Sequence, residues 1–395
     1  MSAGTSTDTD EHFRVCDEID LPQKTQTVHA QAERSDSYPI IVTRSLADAV
    51  ERLCELAGDQ QLAIITDRTV DRLHGDQFRR ALDEAGMAHE TYSLPAGETS
   101  KCLAQAALLW DWLAASAIER HDFVVTFGGG VITDTGGWVA SAYMRGVPYL
   151  NLPTTLLAQV DAAMGGKVAV DHPTAKNLLG AFYQPAGVVS NVAFLDTLDR
   201  RQLASGLAES IKKAVIASPA YWDLIEQNAE RIMARDLDML EHVVHGAAAI
   251  KTVLVERDPY EDDLRRPLNF GHTIGHPLET ITGYGPLLHG EAVAFGMVVE
   301  SRIAANRGLF PEPELERLSA LLERVGLPYC AGRLPVPVDA DAVVGAMAVV
   351  RRIRAGSLRY VLPVAFGETI IADDVSEEEV RAALSECGLE ERAAA

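Results

Sequence analysis

The sequence predicts an α/β first half built on a parallel sheet, followed by a mostly α-helical second half. Three observations predict it. From residue 38 onward, short apolar runs alternate with stretches of helical spacing, the rhythm of βαβ units. One run, Phe123-Val124-Val125-Thr126-Phe127, leads through Gly128-Gly129-Gly130 into a helix, a strand-glycine-helix unit of the Rossmann-like kind. Beyond about residue 198 the strand signal fades, and residues 199–330 read as helices. The predicted organisation is a polar extension over 1–37, a nucleotide-binding α/β domain over 38–197 and a mainly helical domain over 198–395.

Taken in order, residues 1 to about 30 are rich in Ser, Thr, Asp and Gln and read as a mobile extension, with Phe13, Val15 and Ile19 available to cover a neighbouring surface. Pro39-Ile40-Ile41-Val42 is a short strand and 46–57 a helix. Leu62-Ala63-Ile64-Ile65-Thr66-Asp67 is a buried strand ending in an acid. An acid at that place accepts hydrogen bonds from ribose hydroxyls or caps the next helix, and Asp67 is open to both readings. A helix over 76–85, stopped by Gly86, and a segment over 90–94 lead to Pro95-Ala96-Gly97-Glu98-Thr99-Ser100-Lys101. That is a loop opening a helix, with Glu98 and Lys101 facing one side.

The triple glycine continues through Val131-Ile132-Thr133-Asp134 into a helix running to about Tyr143. Its glycines let backbone approach a pyrophosphate, and the first N–H groups of the helix face an anion. A tight turn needs the same residues, and the spacing is not G-x-G-x-x-G. Arg145 follows, then a strand over 149–152 and Pro153-Thr154-Thr155. Asp161, Lys167 and Lys176-Asn177 fall among glycines and prolines and read as loop positions whose cations suit a phosphate or carboxylate. In a helix over 203–216, Glu209 and Lys212 share one face, where a surface ion pair is the plain account. Near the end, a strand over 358–363 follows the basic run Arg351-Arg352-Ile353-Arg354, and Ser376 and Glu379 have capping-box spacing.

The formal net charge of -22 argues against nucleic acid or an anionic membrane as partner, so a phosphorylated substrate needs a locally basic pocket. Five scattered cysteines without a Cys-x-x-Cys pair suit reduced thiols in a cytoplasm. Neither a signal peptide nor a membrane-spanning run is evident.

The chemistry concentrates in Asn269-Phe270-Gly271-His272-Thr273-Ile274-Gly275-His276 and in Leu288-His289-Gly290-Glu291. Two histidines four apart share a helix face and a third follows one loop later, an arrangement for a metal or for separately hydrogen-bonded imidazoles. A helical glutamate plus two of these histidines would make a three-ligand site with open positions. Set against a dinucleotide in the first domain, such a metal suits the NAD-dependent oxidation of a polyol in a cleft between the domains.

In the order and spacing of Asp161, Lys167, Lys176, Asn177, Glu209, Lys212, Lys251, Arg265, Asn269, His272, His276 and His289, the chain resembles the sugar phosphate cyclases, the superfamily of 3-dehydroquinate synthase. The resemblance runs over about 38–385. It implies the dehydroquinate synthase-like fold, with a metal-binding C-terminal domain. One zinc or cobalt ion is implied on Glu209, His272 and His289, leaving His276 for the substrate. NAD would meet Asp67, Glu98, Lys101, Gly129, Gly130, Asp134, Thr154, Thr155, Lys176 and Thr197. Asp161, Lys167, Lys212, Lys251 and His276 would be catalytic. Asn177, Arg265 and Asn269 would bind substrate, and Arg145 would reach a neighbouring subunit's phosphate, so a homodimer is expected. The implied reaction is transient oxidation, phosphate elimination, reduction and aldol closure to a carbocycle, formally a lyase reaction on a small sugar phosphate.

Within that superfamily, Lys251 and Arg265 suit the substrate carboxylate of 3-dehydroquinate synthase. Asn269 and His276 stand where 2-epi-5-epi-valiolone synthases tend to carry Asp and Pro. The usual Asp-Lys-Lys of dehydroquinate synthases before the last strand is here Val350-Arg351-Arg352, which changes reach and hydrogen-bond geometry. Together with the polar extension, this favours a sedoheptulose 7-phosphate cyclase of 2-epi-valiolone type, with Arg351 and Arg352 at the substrate. The alternatives are 3-dehydroquinate synthase acting on 3-deoxy-arabino-heptulosonate 7-phosphate and, further off, a metal-dependent polyol dehydrogenase.

Overall fold

In a computed structural model, the described residues are 36–390 apart from 174, 261–263, 284 and 354–357. Six strands form a parallel sheet: β1 (Ile40–Thr43), β2 (Leu62–Asp67), β3 (His89–Leu94), β4 (Phe123–Gly128), β5 (Tyr149–Pro153) and β8 (Gly187–Asn191), in the order β1-β8-β5-β4-β2-β3. The inner strands are mostly apolar and buried because helices cover both faces. α1 (Leu46–Ala57) and α2 (Asp76–Glu84) pack on one face, where Leu53, Phe78 and Leu82 meet Val125, Phe127 and Leu150. On the other face, α3 (Leu103–Ala115) and α4 (Gly130–Ala142) close over Ile65, Val124 and Tyr149.

From β2 the chain moves outward to β3, then returns across β2 to β4 and continues the other way to β5. The direction reverses between β2 and β4, so the crevice at their carboxyl ends is the switch point at which open α/β sheets bind ligands. Asp67 ends β2 there, and the triple glycine ends β4. The helical backbone begins at Arg68, well before the predicted 76, because Asp67 Oδ1 accepts from the N–H groups of Thr69 and Val70 at 2.8 and 3.1 Å.

The expected loop around Lys167 and Lys176 is instead a hairpin. β6 (Lys167–His172) pairs antiparallel with β7 (Ala175–Phe182). Lys167 opens β6, whereas Lys176 and Asn177 lie on β7. Val168 and Val170 are buried, and their alternation was hidden among glycines, prolines and charges.

After Thr197 the chain is mainly helical: α5 (Arg200–Ala217), α6 (Pro219–Met233), α7 (Leu237–Arg257), α8 (His272–Ile281), α9 (His289–Asn306), α10 (Glu312–Val325) and α11 (Ala340–Ile353). β9 (Tyr360–Ala365) and β10 (Glu368–Ala372) form a small antiparallel pair, and α12 (Glu377–Glu386) carries the Ser376–Glu379 capping box. Among the described residues no helix is long and apolar enough to cross a membrane.

α9 is the axis of this region, and its glycines set how closely its neighbours approach. A Cβ on Gly290 would stand 1.9 Å from the Ser205 carbonyl of α5, and one on Gly296 would stand 2.0 Å from the Gly271 carbonyl before α8. Neither contact admits a side chain. α9 is therefore seated directly on the two helices that carry Glu209 and His272.

Candidate active site

α5 brings Glu209, Lys212 and Lys213 to one buried surface. The expected surface ion pair of Glu209 and Lys212 is corrected here, since both side chains are almost wholly enclosed and in contact. Enclosure opposes the charge on Glu209, but the Lys212 ammonium outweighs it and holds the carboxyl well below the usual range. Glu209 Oε1 is buried without a hydrogen-bond donor. It faces His272 Nε2 at 3.8 Å and His289 Nε2 at 3.6 Å.

Both imidazoles are turned by their other nitrogen. His272 Nδ1 lies 3.1 Å from the Phe270 carbonyl, and His289 Nδ1 lies 3.1 Å from Glu279 Oε2. Each Nδ1 is thereby engaged away from the cluster, which turns both Nε2 atoms toward Glu209. Burial, with Lys212, keeps the His272 pKa well below the ordinary value. Burial also opposes charging His289, but Glu279 and Glu209 prevail and push its pKa up to about 10, so an ion binding here displaces the proton on Nε2. At 3.8 and 3.6 Å, Glu209 Oε1 is too far from either Nε2 to hydrogen-bond, and the three atoms lie within 4.8 Å of one another. Ligands about 2.1 Å from a tetrahedral ion stand about 3.4 Å apart, so the donor set fits a divalent metal. His276 lies beside it, its ring 4.9 Å from that of His272 and 6.1 Å from that of His289.

A second cluster adjoins the first. Asp161 Oδ1 takes Lys213 Nζ at 2.7 Å and Lys251 Nζ at 3.0 Å. Burial works against the Asp161 charge, yet Lys213, Lys251 and Lys212 hold the carboxyl well below its usual range. Burial lowers the Lys251 pKa to about 8, with Asp161 offsetting part of the shift. Arg265 is also buried, donating to the Pro259 carbonyl at 3.1 Å while its Nε has no hydrogen-bond partner. Gly165, at φ +87°, joins the two cations: a Cβ there would stand 3.0 Å from Arg265 Nη2 and 3.4 Å from Lys251 Cε. Asn269 closes the turn Arg266–Asn269 just before α8. An acidic chain thus concentrates buried cations at one place, the condition for holding an anionic substrate.

At the sheet's carboxyl edge, Gly129 and Gly130 open α4, whose first N–H groups lack intrahelical acceptors. A Cβ on Gly129 would stand 2.9 Å from Thr155 Cγ2, so this turn is closed to larger residues. Thr154 N–H donates to the Gly128 carbonyl at 2.9 Å, keeping the β4 and β5 ends together. Lys101 donates to Asp134 and to Asn177, each at 2.5 Å, joining α4 to the hairpin. Glu98 pairs with Lys176 at 2.9 Å. Thr197 Oγ1 lies 2.8 Å from His74 Nε2. These groups surround the unpaired N–H groups at the start of α4, the kind of helix terminus that accepts an anion.

Two sequence expectations stand apart. Arg145 is exposed beyond the end of α4, at φ +68°. Arg351 and Arg352 lie on α11, and their side chains are outside the described residues. Three groups escaped the sequence reading: Lys213, Glu279 and Glu300. Lys213 and Glu279 sit on the faces of Glu209 and His276 at helical spacing, a signal that was present. Glu300 is fully buried, and its two oxygens accept from Gly271 and Thr273 N–H at 2.9 and 3.2 Å, capping the helix that carries His272.

Comparison with known proteins shows the family. Residues 91–205 match the family model for the 3-dehydroquinate synthase N-terminal domain, and residues 206–352 match that for the C-terminal domain. A 2-epi-valiolone synthase of Actinosynnema mirum is 53% identical over 372 residues, spanning 94% of this chain and 97% of that one. A 3-dehydroquinate synthase of Desulforamulus reducens is 41% identical over 351 residues, spanning 89% and 97%. The structure of a 2-epi-5-epi-valiolone synthase from Streptomyces hygroscopicus, with NAD+ and Zn2+ bound, superposes with a TM-score of 0.85 at 30% identity, covering 91% of this chain and 99% of that one. Matched by both domain models in tandem and aligned nearly end to end with these relatives, the chain belongs to the 3-dehydroquinate synthase family of sugar phosphate cyclases.

Proposed function

We propose that this cyclase converts sedoheptulose 7-phosphate to a cyclitol of 2-epi-valiolone type with loss of phosphate. The observation that carries the substrate assignment is the 53% identity to a 2-epi-valiolone synthase, against 41% to a 3-dehydroquinate synthase over nearly the same span. The NAD+ and Zn2+ of the related structure support assigning both cofactors here. Zinc, or cobalt, would be held by Glu209, His272 and His289. NAD would lie along Gly129 and Gly130, with Asp67, Glu98, Lys101, Asp134, Thr154, Thr155, Lys176 and Thr197 around it.

When bound, the dinucleotide supplies a transient hydride acceptor and the ion a Lewis acid beside the carbon being oxidised. The chain's own groups set the rest. Neutral His272 offers its Nε2 lone pair, and ionised Glu209 offsets the charge of the ion. Lys251 and Arg265, with Lys167 and Lys212, present fixed positive charge to the substrate's phosphate and hydroxyls. Asp161 is held ionised between Lys213 and Lys251, so it orients those ammonium groups. Asn177, Asn269 and His276 supply hydrogen-bonding groups for the ring hydroxyls. With the cations gathered on the phosphate, the departing phosphate itself is placed to take the proton lost in elimination.

A second reading, 3-dehydroquinate synthase, is favoured by one observation: Gly165 sets Lys251 and Arg265 side by side, an arrangement suited to a substrate carboxylate. Offering the purified enzyme, with NAD+ and cobalt, each seven-carbon phosphate separately and identifying the ring product by NMR decides between them. A carbocycle from sedoheptulose 7-phosphate alone supports the proposal. A carbocycle from the acid phosphate alone rejects it.

The proposal includes a homodimer. Leu178 and Phe182 are exposed on one side of β7, and the Phe182 ring meets exposed Tyr260 edge-on at 5.7 Å. This apolar face suits a second copy, whose phosphate Arg145 would reach. The free thiols Cys54, Cys102, Cys330 and Cys387 support a reducing compartment, the cytoplasm.

A further inference from the structure

The two histidines that face Glu209 are oriented by different means. His272 leans on a backbone carbonyl, which no substitution removes. His289 opens α9, its side chain is 29% exposed, and its outward nitrogen is met by the carboxylate of Glu279 at 3.1 Å. Glu279 is itself buried, and its other oxygen faces Lys176 Nζ at 3.8 Å. Lys176 in turn pairs with Glu98 at 2.9 Å. A connected row of alternating charge therefore runs from Glu98 on the sheet's edge through Lys176 of the hairpin and Glu279 of α8 to His289 of α9.

Glu279 is in none of the ligand, substrate or cofactor sets assigned above. Its position allows two roles. With His276 and His289 it brings three potential ligand atoms within 4.8 Å of one another. The Lys176 ammonium, however, stands where a second cation would be repelled, and Oε2 is engaged by the imidazole N–H. Both facts favour an orienting role over a ligating one. A carboxylate on the far nitrogen fixes the ring's tautomer and rotation and raises the basicity of the nitrogen that binds metal.

We propose that Glu279 is a positioning residue of the metal centre, holding His289 so that Nε2 faces the ion, and that Lys176 ties this ligand to the β6–β7 hairpin. The inference rests on the reading that Glu209, His272 and His289 hold a divalent ion. It has a consequence for cofactor coupling: Glu98 and Lys176 are also assigned to the dinucleotide, so metal and NAD+ binding share the Lys176–Glu279 contact and should be thermodynamically linked.

The test uses the full chain as wild type, Glu279→Gln, Glu279→Asp and His289→Ala. Zinc affinity is measured by chelator competition, and the visible spectrum is recorded with cobalt(II) loaded. Wild type should bind one ion per chain. Glu279→Gln, nearly isosteric, should bind zinc about 10- to 100-fold more weakly and shift the cobalt spectrum, with partial rescue in Glu279→Asp. Its metal-free form should melt with the metal-free wild type, which separates orientation from folding. Glu279→Gln with wild-type affinity and spectrum overturns the inference. So do two ions per wild-type chain and one in Glu279→Gln, because Glu279 would then be a ligand. Equal zinc binding by wild type and His289→Ala rejects the underlying metal site instead.

Discussion

Glu209 Oε1 faces His289 Nε2 at 3.6 Å across the α5–α9 contact, although eighty positions of sequence separate the two residues. The Gly290 backbone makes this possible, since its N–H donates to Ser205 Oγ at 3.0 Å on α5. Arg201 of α5 also donates at 2.5 Å to Glu291, in the first turn of α9. The two ligand-bearing helices are thus locked where the proposed ligands meet.

Substitution at this meeting point should release the ion without unfolding the chain. Glu209→Gln, His272→Ala and His289→Ala should each lose bound zinc on dialysis, as read by elemental analysis. One ion per chain retained in all three variants would reject the assigned ligands.

Gly290→Ala tests the helix contact. The added methyl must displace backbone, because the atom it meets is the Ser205 carbonyl oxygen at 1.9 Å. Overpacking of this kind costs about 1–3 kcal/mol or more. Denaturant unfolding should show that loss, accompanied by weakened zinc binding. Stability and affinity equal to wild type would contradict the geometry.

Glu300 offers a pH test of the fold. Burial raises its pKa to about 8, against the pull of the Gly271, Thr273 and Ile274 N–H groups. A native pKa raised above the unfolded value stabilises most in acid, and that contribution is lost as pH rises from the ordinary glutamate value of 4.5 through about 8. Wild type should therefore lose stability across that window relative to Glu300→Gln, measured by urea unfolding at several pH values. Glu300→Ala, which leaves the buried N–H groups without an acceptor, should cost about 2–3 kcal/mol.

Lys251 carries a functional pH dependence. A lysine with a pKa near 8 is charged below that pH and neutral above it. The KM for the phosphorylated substrate should rise as pH passes upward through about 8. Lys251→Met should raise KM about 10- to 100-fold at neutral pH, the equivalent of one charge-assisted hydrogen bond, and flatten the profile. A wild-type KM unchanged across this range would remove Lys251 from the anion site.

Much of the architecture was legible because it rests on local pattern. The apolar runs of β2, β4 and β5 and the glycines before α4 announce an α/β unit, and His272, His276 and His289 lie close in sequence. What was missed depends on tertiary partners. Lys213 looks like another helix-surface lysine until Asp161 arrives from the turn after β5, and Glu279 acquires meaning only beside His289. Glu300 is an acid in an apolar helix whose purpose is visible once the α8 N-terminus lies against it. The β6–β7 hairpin escaped because charges interrupt its alternation and its strands pair outside the main sheet.

A cyclase of the proposed kind reduces and reoxidises its NAD within each turnover. The most direct measurement follows phosphate release and nicotinamide absorbance together, with sedoheptulose 7-phosphate, catalytic NAD+ and zinc or cobalt. Many equivalents of phosphate per NAD+, a carbocyclic product and no build-up of NADH are expected. NADH accumulating in step with substrate consumed, without phosphate release, would contradict this and make the protein a dehydrogenase.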